Sequence, residues 1–339
     1  MRDSNTRAVS VGLQGAGAYG AFTWGVLDRL LDEDDLVIDR LTGSSSGAIN
    51  AAVFADGYAA GGGRRGAQQA LRRFWTSLGL AAAFSPMRRT MLDRLLGGWT
   101  MECSAAYHGL EMAGVVAGPV FEMPFTQNPL RILLSSLIDF DRVRASEIQV
   151  FIAATNVRSG KGRIFTRDEI TVQSLLASAC LPTVFAAVEV EGESYWDGSY
   201  VANPPLAPLL DRSAGDIIVV QNNPVSRSTM PRSIADISNR ANEIAFNTSF
   251  IRELAMLNHG LGAPDEQAGD SVHASRSRIH LISGNDMLAD YRISSKMNAE
   301  LDFITHLHRR GLETADQWLR DNAHQLGVHS TLDLERAFA

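Results

Sequence analysis

Three short motifs supply the residue types needed for acyl transfer, and the first offers a nucleophile. Gly43-Ser44-Ser45-Ser46-Gly47 has the spacing G-x-S-x-G. In that pattern the central serine stands on a sharp strand-to-helix turn with its hydroxyl exposed. Ser45 is therefore the candidate nucleophile, and Gly43 and Gly47 keep side chains out of the tight turn. The same pattern also fits an ordinary serine at a helix N-cap, so its context must decide.

A glycine-rich segment, Gly15-Ala16-Gly17-Ala18-Tyr19-Gly20, precedes this turn and lies between an expected strand and helix. Backbone N–H groups at a helix N-terminus favour negative charge, either a pyrophosphate or the oxyanion of acyl transfer. For acyl transfer, the N–H groups around Gly15, Ala16 and Gly17 would form the oxyanion hole, and Gly20 would complete the motif. With Asp39 as a ribose-binding acid, the same segment would instead bind a dinucleotide.

The third motif offers a base. None of the eight histidines lies in a recognisable catalytic setting, so the sequence lacks the usual third member of a triad. A carboxylate held within hydrogen-bonding reach can activate a serine directly. Asp197 is the candidate because it ends an expected hairpin and is followed by Gly198, although an Asp-Gly pair is also a common turn.

The elements around these motifs alternate between strand and helix. Apolar residues predict strands at Ala8–Leu13 and Leu36–Leu41, each followed by a glycine-rich turn and a helix, which is typical of a parallel sheet with crossover helices. Gly57 to Gly66 is expected to be a flexible connection. We expect one domain over residues 1–339, with a core at about 8–225, an inserted cap at about 57–127 and a helical C-terminal part at about 226–339.

Taken together, the motifs resemble those of the patatin-like phospholipases: a glycine-rich oxyanion loop, a G-x-S-x-G elbow and a late Asp-Gly pair, in this order. The similarity extends to Ala177–Pro182 and to Asn203-Pro204-Pro205, and covers roughly residues 8–225. Two departures are that Ala16 and Ala18 stand where the family usually has glycine, and that Tyr19 stands where it often has a basic residue. An alanine keeps its N–H group available if its φ is negative.

The resemblance implies a fold and an activity. The fold is an α/β sandwich of three layers (α/β/α) around a mostly parallel sheet, with the inserted cap and C-terminal helices. The activity is that of a serine esterase that hydrolyses lipid acyl esters through a Ser45–Asp197 catalytic dyad and needs no metal, nucleotide or other cofactor. The same dyad could instead cleave a different ester, such as an intracellular polyester or a small carboxylic ester. Outside ester hydrolysis, the chain could be a dinucleotide-binding protein or a non-catalytic interaction protein.

Composition limits the partners and the location. The formal net charge is −7, from 31 basic and 38 acidic residues, which disfavours nucleic acid as the main partner. Two isolated cysteines, Cys103 and Cys180, suggest neither a disulfide framework nor a thiolate metal site, and favour a reducing cytoplasm. The polar start, Met1 to Arg7, lacks the apolar core of a signal peptide. Apolar runs stay well short of the roughly 18 residues of a spanning helix, so any membrane contact is expected to be peripheral.

Overall fold

The computed structural model describes most of the chain. The described residues are 6–95, 98–101, 103–107, 109, 128–182, 184–210, 215–227, 230–232, 234–260 and 277–332. Residues 110–127 of the expected cap lie outside them. Among the described helices, none combines the length and the apolar character that crossing a bilayer requires.

A mixed eight-stranded sheet forms the centre of the fold. Its strands are β1 (Arg7–Leu13), β2 (Leu36–Gly43), β3 (Gln149–Asn156), β4 (Gly162–Thr166), β5 (Val188–Val190), β6 (Glu193–Asp197), β7 (Asp216–Gln221) and β8 (Arg278–Ser283). The order is β5-β6-β3-β2-β1-β7-β8, and β4 pairs with β3. The five strands from β3 to β8 in this order are parallel, whereas β4, β5 and β6 form antiparallel pairs at the β3 end.

Helices connect and cover the strands. They are α1 (Gly20–Leu31), α2 (Ser46–Gly57), α3 (Gly63–Ala82), α4 (Met91–Leu95), α5 (Pro129–Leu137), α6 (Phe140–Ala145), α7 (Val172–Ser178), α8 (Ile234–Gly260), α9 (Asn285–Ala289) and α10 (Leu301–Asn322). α1 and α10 pack very closely, since a Cβ on Gly25 would lie 2.0 Å from the His308 carbonyl oxygen.

The two faces of the sheet bury separate apolar clusters. Side chains alternate along a strand, so neighbouring residues of β7 face opposite sides. Ile218 and Val220 belong to the larger cluster, which α1, α2, α3 and α10 share. Ile217 and Val219 belong to a second cluster, to which Phe250 of α8 contributes. This arrangement is the predicted α/β class: a mostly parallel central sheet flanked by helices.

The segment from Gly57 to Gly66 differs from the expected flexible connection, because it is a kinked junction between two helices. α2 ends at Gly57, α3 begins at Gly63, and the chain bends between them at Gly61, whose φ is 93°. Its glycines allow close packing: a Cβ on Gly57 would lie 2.5 Å from the Gly66 carbonyl oxygen. Arg64 also anchors the segment by donating to the backbone carbonyl oxygens of Asp34 and Leu36. In α3, Leu71, Phe74 and Trp75 are buried in the main core, so this part of the expected cap belongs to the helical layer that covers the sheet.

Candidate active site

Ser45 occupies a strained turn between β2 and α2. Its backbone has φ 53° and ψ −124°, a conformation that side chains other than glycine rarely adopt. The Ser45 N–H donates to Ser178 Oγ at 3.0 Å, and its carbonyl oxygen accepts the Ile49 N–H of α2 at 3.1 Å. A Cβ on Gly47 would lie 2.1 Å from the Leu13 carbonyl oxygen, so only glycine fits there. The sharp elbow predicted from the sequence is therefore present.

The glycine-rich loop after β1 packs directly against this turn. A Cβ on Gly15 would lie 2.6 Å from Ser45 Cβ and 2.3 Å from the Ser44 carbonyl oxygen. A Cβ on Gly20 would lie 2.7 Å from Ser46 Cβ. Both turns follow parallel neighbouring strands, β1 and β2, so the carboxyl ends of these strands bring the loop and Ser45 together.

The three loop amides differ in their hydrogen bonding. Gly15 N–H donates to Asn203 Oδ1 at 2.7 Å, and Ala16 N–H donates to Ser46 Oγ at 3.1 Å. Gly17 N–H has no acceptor among the residues that the structure describes. Ala16 has φ −158°, a conformation open to alanine, whereas Gly17 has φ 59°. The loop thus tolerates alanine at position 16 and requires glycine at position 17.

Asp197 lies at the end of β6, where it pairs with Ala154 of β3. Its side chain is buried, and Oδ1 accepts the Ser199 N–H at 2.8 Å. Burial raises the pKa of Asp197 to about 6, although the Ser199 N–H and the nearby hydroxyls of Ser45 and Ser199 favour the charged carboxylate. A carboxylate with such a pKa is a stronger base than an exposed aspartate and is still mostly ionised at neutral pH.

Gly198, Asn203 and Ser178 hold Asp197, Gly15 and Ser45 in place. No sequence motif by itself assigns such a role to Asn203 or Ser178. A Cβ on Gly198 would lie 2.1 Å from the Ala153 carbonyl oxygen, which fixes the turn after Asp197 against β3. Asn203 makes two hydrogen bonds to the backbone of Gly15: its Oδ1 accepts the Gly15 N–H, and its Nδ2 donates to the Gly15 carbonyl oxygen at 3.2 Å. Ser178 accepts the Ser45 N–H. The segments that contain Asn203 and Ser178 stand out in the sequence only through the family resemblance, because asparagine and serine are common residue types.

The residues expected to bind a dinucleotide are far apart along the strands. Asp39 lies four residues before the end of β2 and accepts a hydrogen bond from Ser10 Oγ at 3.3 Å. It lines a cavity of about 370 Å³ together with Arg7 and Asp216, the first residues of β1 and β7. The cavity is therefore at the amino ends of these strands, whereas Gly15–Gly20 follows the carboxyl end of β1.

Comparisons with known proteins agree with the motifs. The family model described as Patatin-like phospholipase matches residues 12–210, which is more than half of the chain. Among solved structures, the chain is similar to VipD from Legionella pneumophila, with 13% sequence identity and a TM-score of 0.38 over 92% of this chain and 67% of that one.

It is also similar to a chain of the ExoU–SpcU complex from the type III secretion system of Pseudomonas aeruginosa. That match has 16% identity and a TM-score of 0.35, and covers 94% of this chain and 52% of that one. The chain thus spans about half the length of the ExoU–SpcU chain. None of the curated proteins compared with the chain matches it.

Proposed function

The chain belongs to the patatin-like phospholipase family, and we propose that it hydrolyses lipid carboxylic esters with Ser45 as nucleophile and Asp197 as general base. One observation carries this proposal. The strained turn at Ser45 meets the glycine-rich loop on one side, while the buried Asp197 carboxylate has its pKa raised to about 6 beside the Ser45 hydroxyl. These are the parts that serine acyl transfer requires: a nucleophile, a base and backbone amides.

The proposed reaction has two steps. Asp197 accepts the Ser45 proton while Oγ attacks the ester carbonyl, and the tetrahedral intermediate expels the alcohol, which takes that proton. The acyl group is then bonded to Ser45. Water attacks this ester with Asp197 again acting as base, so that the fatty acid leaves and the Ser45 hydroxyl is restored.

The oxyanion would be stabilised by backbone amides of the loop. Gly15, Ala16 and Gly17 remain the proposed segment, but the hydrogen bonds distinguish its members. Gly17 N–H has no acceptor among the described residues, so it can donate to the oxyanion without any rearrangement. Ala16 N–H can donate to the oxyanion once Ser46 Oγ rotates away from it. Gly15 N–H would then hold the loop through Asn203. Each oxyanion-hole donor is typically worth about 3–4 kcal/mol in the transition state.

A lipid surface is the proposed place of reaction. Large apolar side chains are exposed around α4: Phe84 is 93%, Met91 82% and Leu95 79% exposed. Arg88 and Arg94 lie among them and line a cavity of about 560 Å³ together with Met91. Exposed apolar side chains with arginines between them suit the interface of an anionic bilayer, where the arginines meet headgroup phosphates.

Fatty-acid release tests the proposed activity. We expect the chain to release fatty acid from phospholipid vesicles or from emulsified glycerides, and the Ser45→Ala variant to release none. Ser136→Ala, which changes an exposed serine of α5, is the matched control and should leave the rate unchanged. Release from short soluble esters alone would favour a small carboxylic ester as the substrate. Equal rates for the Ser45→Ala variant and the unchanged chain would contradict the proposed nucleophile.

A further inference from the structure

A cluster of charged side chains lies beside the glycine-rich loop, on elements of the C-terminal part. Its centre is the buried Glu243 of α8. Glu243 Oε1 lies 2.6 Å from Arg227 Nη2 and 2.7 Å from Lys296 Nζ, and Oε2 lies 3.0 Å from Arg240 Nη1. Burial alone would raise the pKa of Glu243, but Lys296 and Arg227 hold it at about 2. One carboxylate thus faces three cations, and the cluster carries a surplus of positive charge.

Lys296 connects this cluster to the loop. Its carbonyl oxygen lies 2.5 Å from the position that a Cβ on Gly17 would take, and its Nζ lies 5.8 Å from the centre of the Tyr19 ring. Nζ also donates to Asn223 Oδ1 at 2.6 Å. The Asn223 N–H in turn donates to Oε1 of Gln14, the residue just before the loop. Lys296 therefore contacts Gly17 through its backbone carbonyl group, while its ammonium group lies beside the Tyr19 ring and connects to the start of the loop through Asn223.

We propose that Lys296 is a positioning residue for acyl transfer, whose ammonium group, beside the Tyr19 ring and bound to Asn223, holds the loop in place and favours the negative charge that develops there. This inference rests on the proposed function, because it assigns a role in the same reaction. Lys296 does not touch the substrate. It acts through the loop that supplies the Gly17 amide.

Glu243 has ion-pair partners besides Lys296. Arg227 binds both oxygens of Glu243, with Nε at 3.2 Å from Oε2, and Arg240 adds another ion pair. Without Lys296, Glu243 would still be paired, so its removal would leave no bare buried carboxylate. A largely buried cation beside the oxyanion loop is worth more to a developing negative charge than one in water.

The ionisation of Lys296 gives this inference a measurable signature. Burial lowers the pKa of Lys296 to about 8, with Arg227 and Arg240 acting in the same direction and Glu243 opposing them. Tyr19, the other ionisable group facing it, has its pKa raised by burial to about 12 and stays neutral. The ammonium therefore loses its proton above about pH 8, and kcat/KM should fall along a basic limb there.

Kinetics of three variants on a soluble ester test this role. We expect Lys296→Met to lower kcat by about tenfold to a hundredfold with little change in KM, and to remove the basic limb. Lys296→Arg should keep most of the rate and move the basic limb to higher pH, because arginine stays charged. Lys161→Met, a change at the only other lysine of the chain, should behave like the unchanged protein.

The presence of only two lysines allows the titration to be observed directly. In protein labelled with ¹³C at lysine Cε, the NMR signal that persists in the Lys161→Arg variant belongs to Lys296. We expect it to titrate near pH 8, at the same pH as the basic limb of kcat/KM. A titration that does not coincide with this limb would overturn the inference, and this test needs no Lys296 variant to fold.

The outcomes separate this inference from the proposed function. If the unchanged chain hydrolyses esters and a folded Lys296→Met variant keeps its kcat and basic limb, the role of Lys296 is wrong and the dyad stands. If the unchanged chain hydrolyses no ester, the proposed function fails, and this inference fails with it.

Discussion

At the scale of the residue, burial of Asp197 predicts how activity depends on pH. Only the ionised carboxylate can accept the Ser45 proton, and burial raises its pKa from 3.8 to about 6. We therefore expect kcat/KM to rise with pH through about 6 and then to level off before the Lys296 limb. A pH profile on a soluble ester measures this. Full activity at pH 4.5 would contradict a buried Asp197 base.

The same burial predicts that Asp197 lowers the stability of the fold. The Asp197 carboxyl group loses its proton near pH 3.8 in the unfolded chain and near pH 6 in the folded chain. The folded state is therefore destabilised as the pH rises from 3.8, and this loss of stability is complete above about pH 6. Asp197→Asn should therefore be inactive yet up to about 3 kcal/mol more stable at pH 8. Urea unfolding at pH 8 and pH 4 checks this, since the gain should vanish at the lower pH.

Close packing at Gly15 gives a second test at this scale. A methyl group there would overlap the Ser44 carbonyl oxygen and Ser45 Cβ, so Gly15→Ala should displace Ser45 and reduce kcat by at least about a hundredfold. Gly62→Ala is the matched control, because nothing lies within 4 Å of the added methyl group. Equal rates for the two variants would show that the loop does not constrain Ser45.

Sequence patterns predict the proposed reacting groups but not the residues that hold them in place. Ser45, Asp197 and the motif glycines could be predicted because each needs a specific residue type in a specific turn. Asn203 and Ser178 could not, because their function depends on long-range contacts with Gly15 and Ser45 that leave no local pattern. The hydrogen bonds of the loop amides likewise depend on tertiary contacts.

At the scale of the element, α3 is part of the core that supports the elbow helix. Trp75 is buried, and its Nε1 donates to Asn50 Oδ1 of α2 at 2.8 Å, while Asn50 Nδ2 donates to the Gly20 carbonyl oxygen. We expect Trp75→Ala to cost about 3–5 kcal/mol in urea unfolding. Arg72→Ala, on the exposed side of α3, should cost little. Similar losses for both variants would contradict the packing role of α3.

The strands of the sheet agree with the sequence predictions more closely than the connection between α2 and α3 does. The apolar residues of Ala8–Leu13 and Leu36–Leu41 predict β1 and β2, since strands buried on both faces carry no regular polar alternation. The glycine-rich segment at Gly57–Gly66 is expected from its composition to be flexible, but Gly57 and Gly66 permit close contact between α2 and α3, and Gly61 supplies the positive φ of the kink between them. Local composition cannot distinguish a glycine that loosens the chain from one that permits close packing.

At the scale of the whole molecule, the proposed lipid contact lies on the exposed apolar side chains around α4. The net charge of −7 opposes an anionic bilayer overall, so binding must come from this surface and its arginines. We expect the Met91→Ser, Leu95→Ser double variant to bind vesicles less and to hydrolyse their lipids more slowly, while its rate on a soluble ester is unchanged. Vesicle flotation measures the binding.

Val328→Ser supplies the control for this comparison, since Val328 is exposed but lies far along the chain from α4. It should leave both binding and hydrolysis unchanged. Equal vesicle binding by the double variant and the unchanged chain would place the lipid contact elsewhere.

The central claim is that Ser45 is a nucleophile activated by Asp197, and covalent labelling with a fluorophosphonate tests it most directly. Intact-mass measurement should give one adduct on the unchanged chain, mapped to Ser45 by peptide analysis. Ser45→Ala should give none, and Asp197→Asn should lose the labelling because it lacks the base. An adduct that persists in the Ser45→Ala variant, or rapid labelling of a folded Asp197→Asn variant, would contradict the dyad.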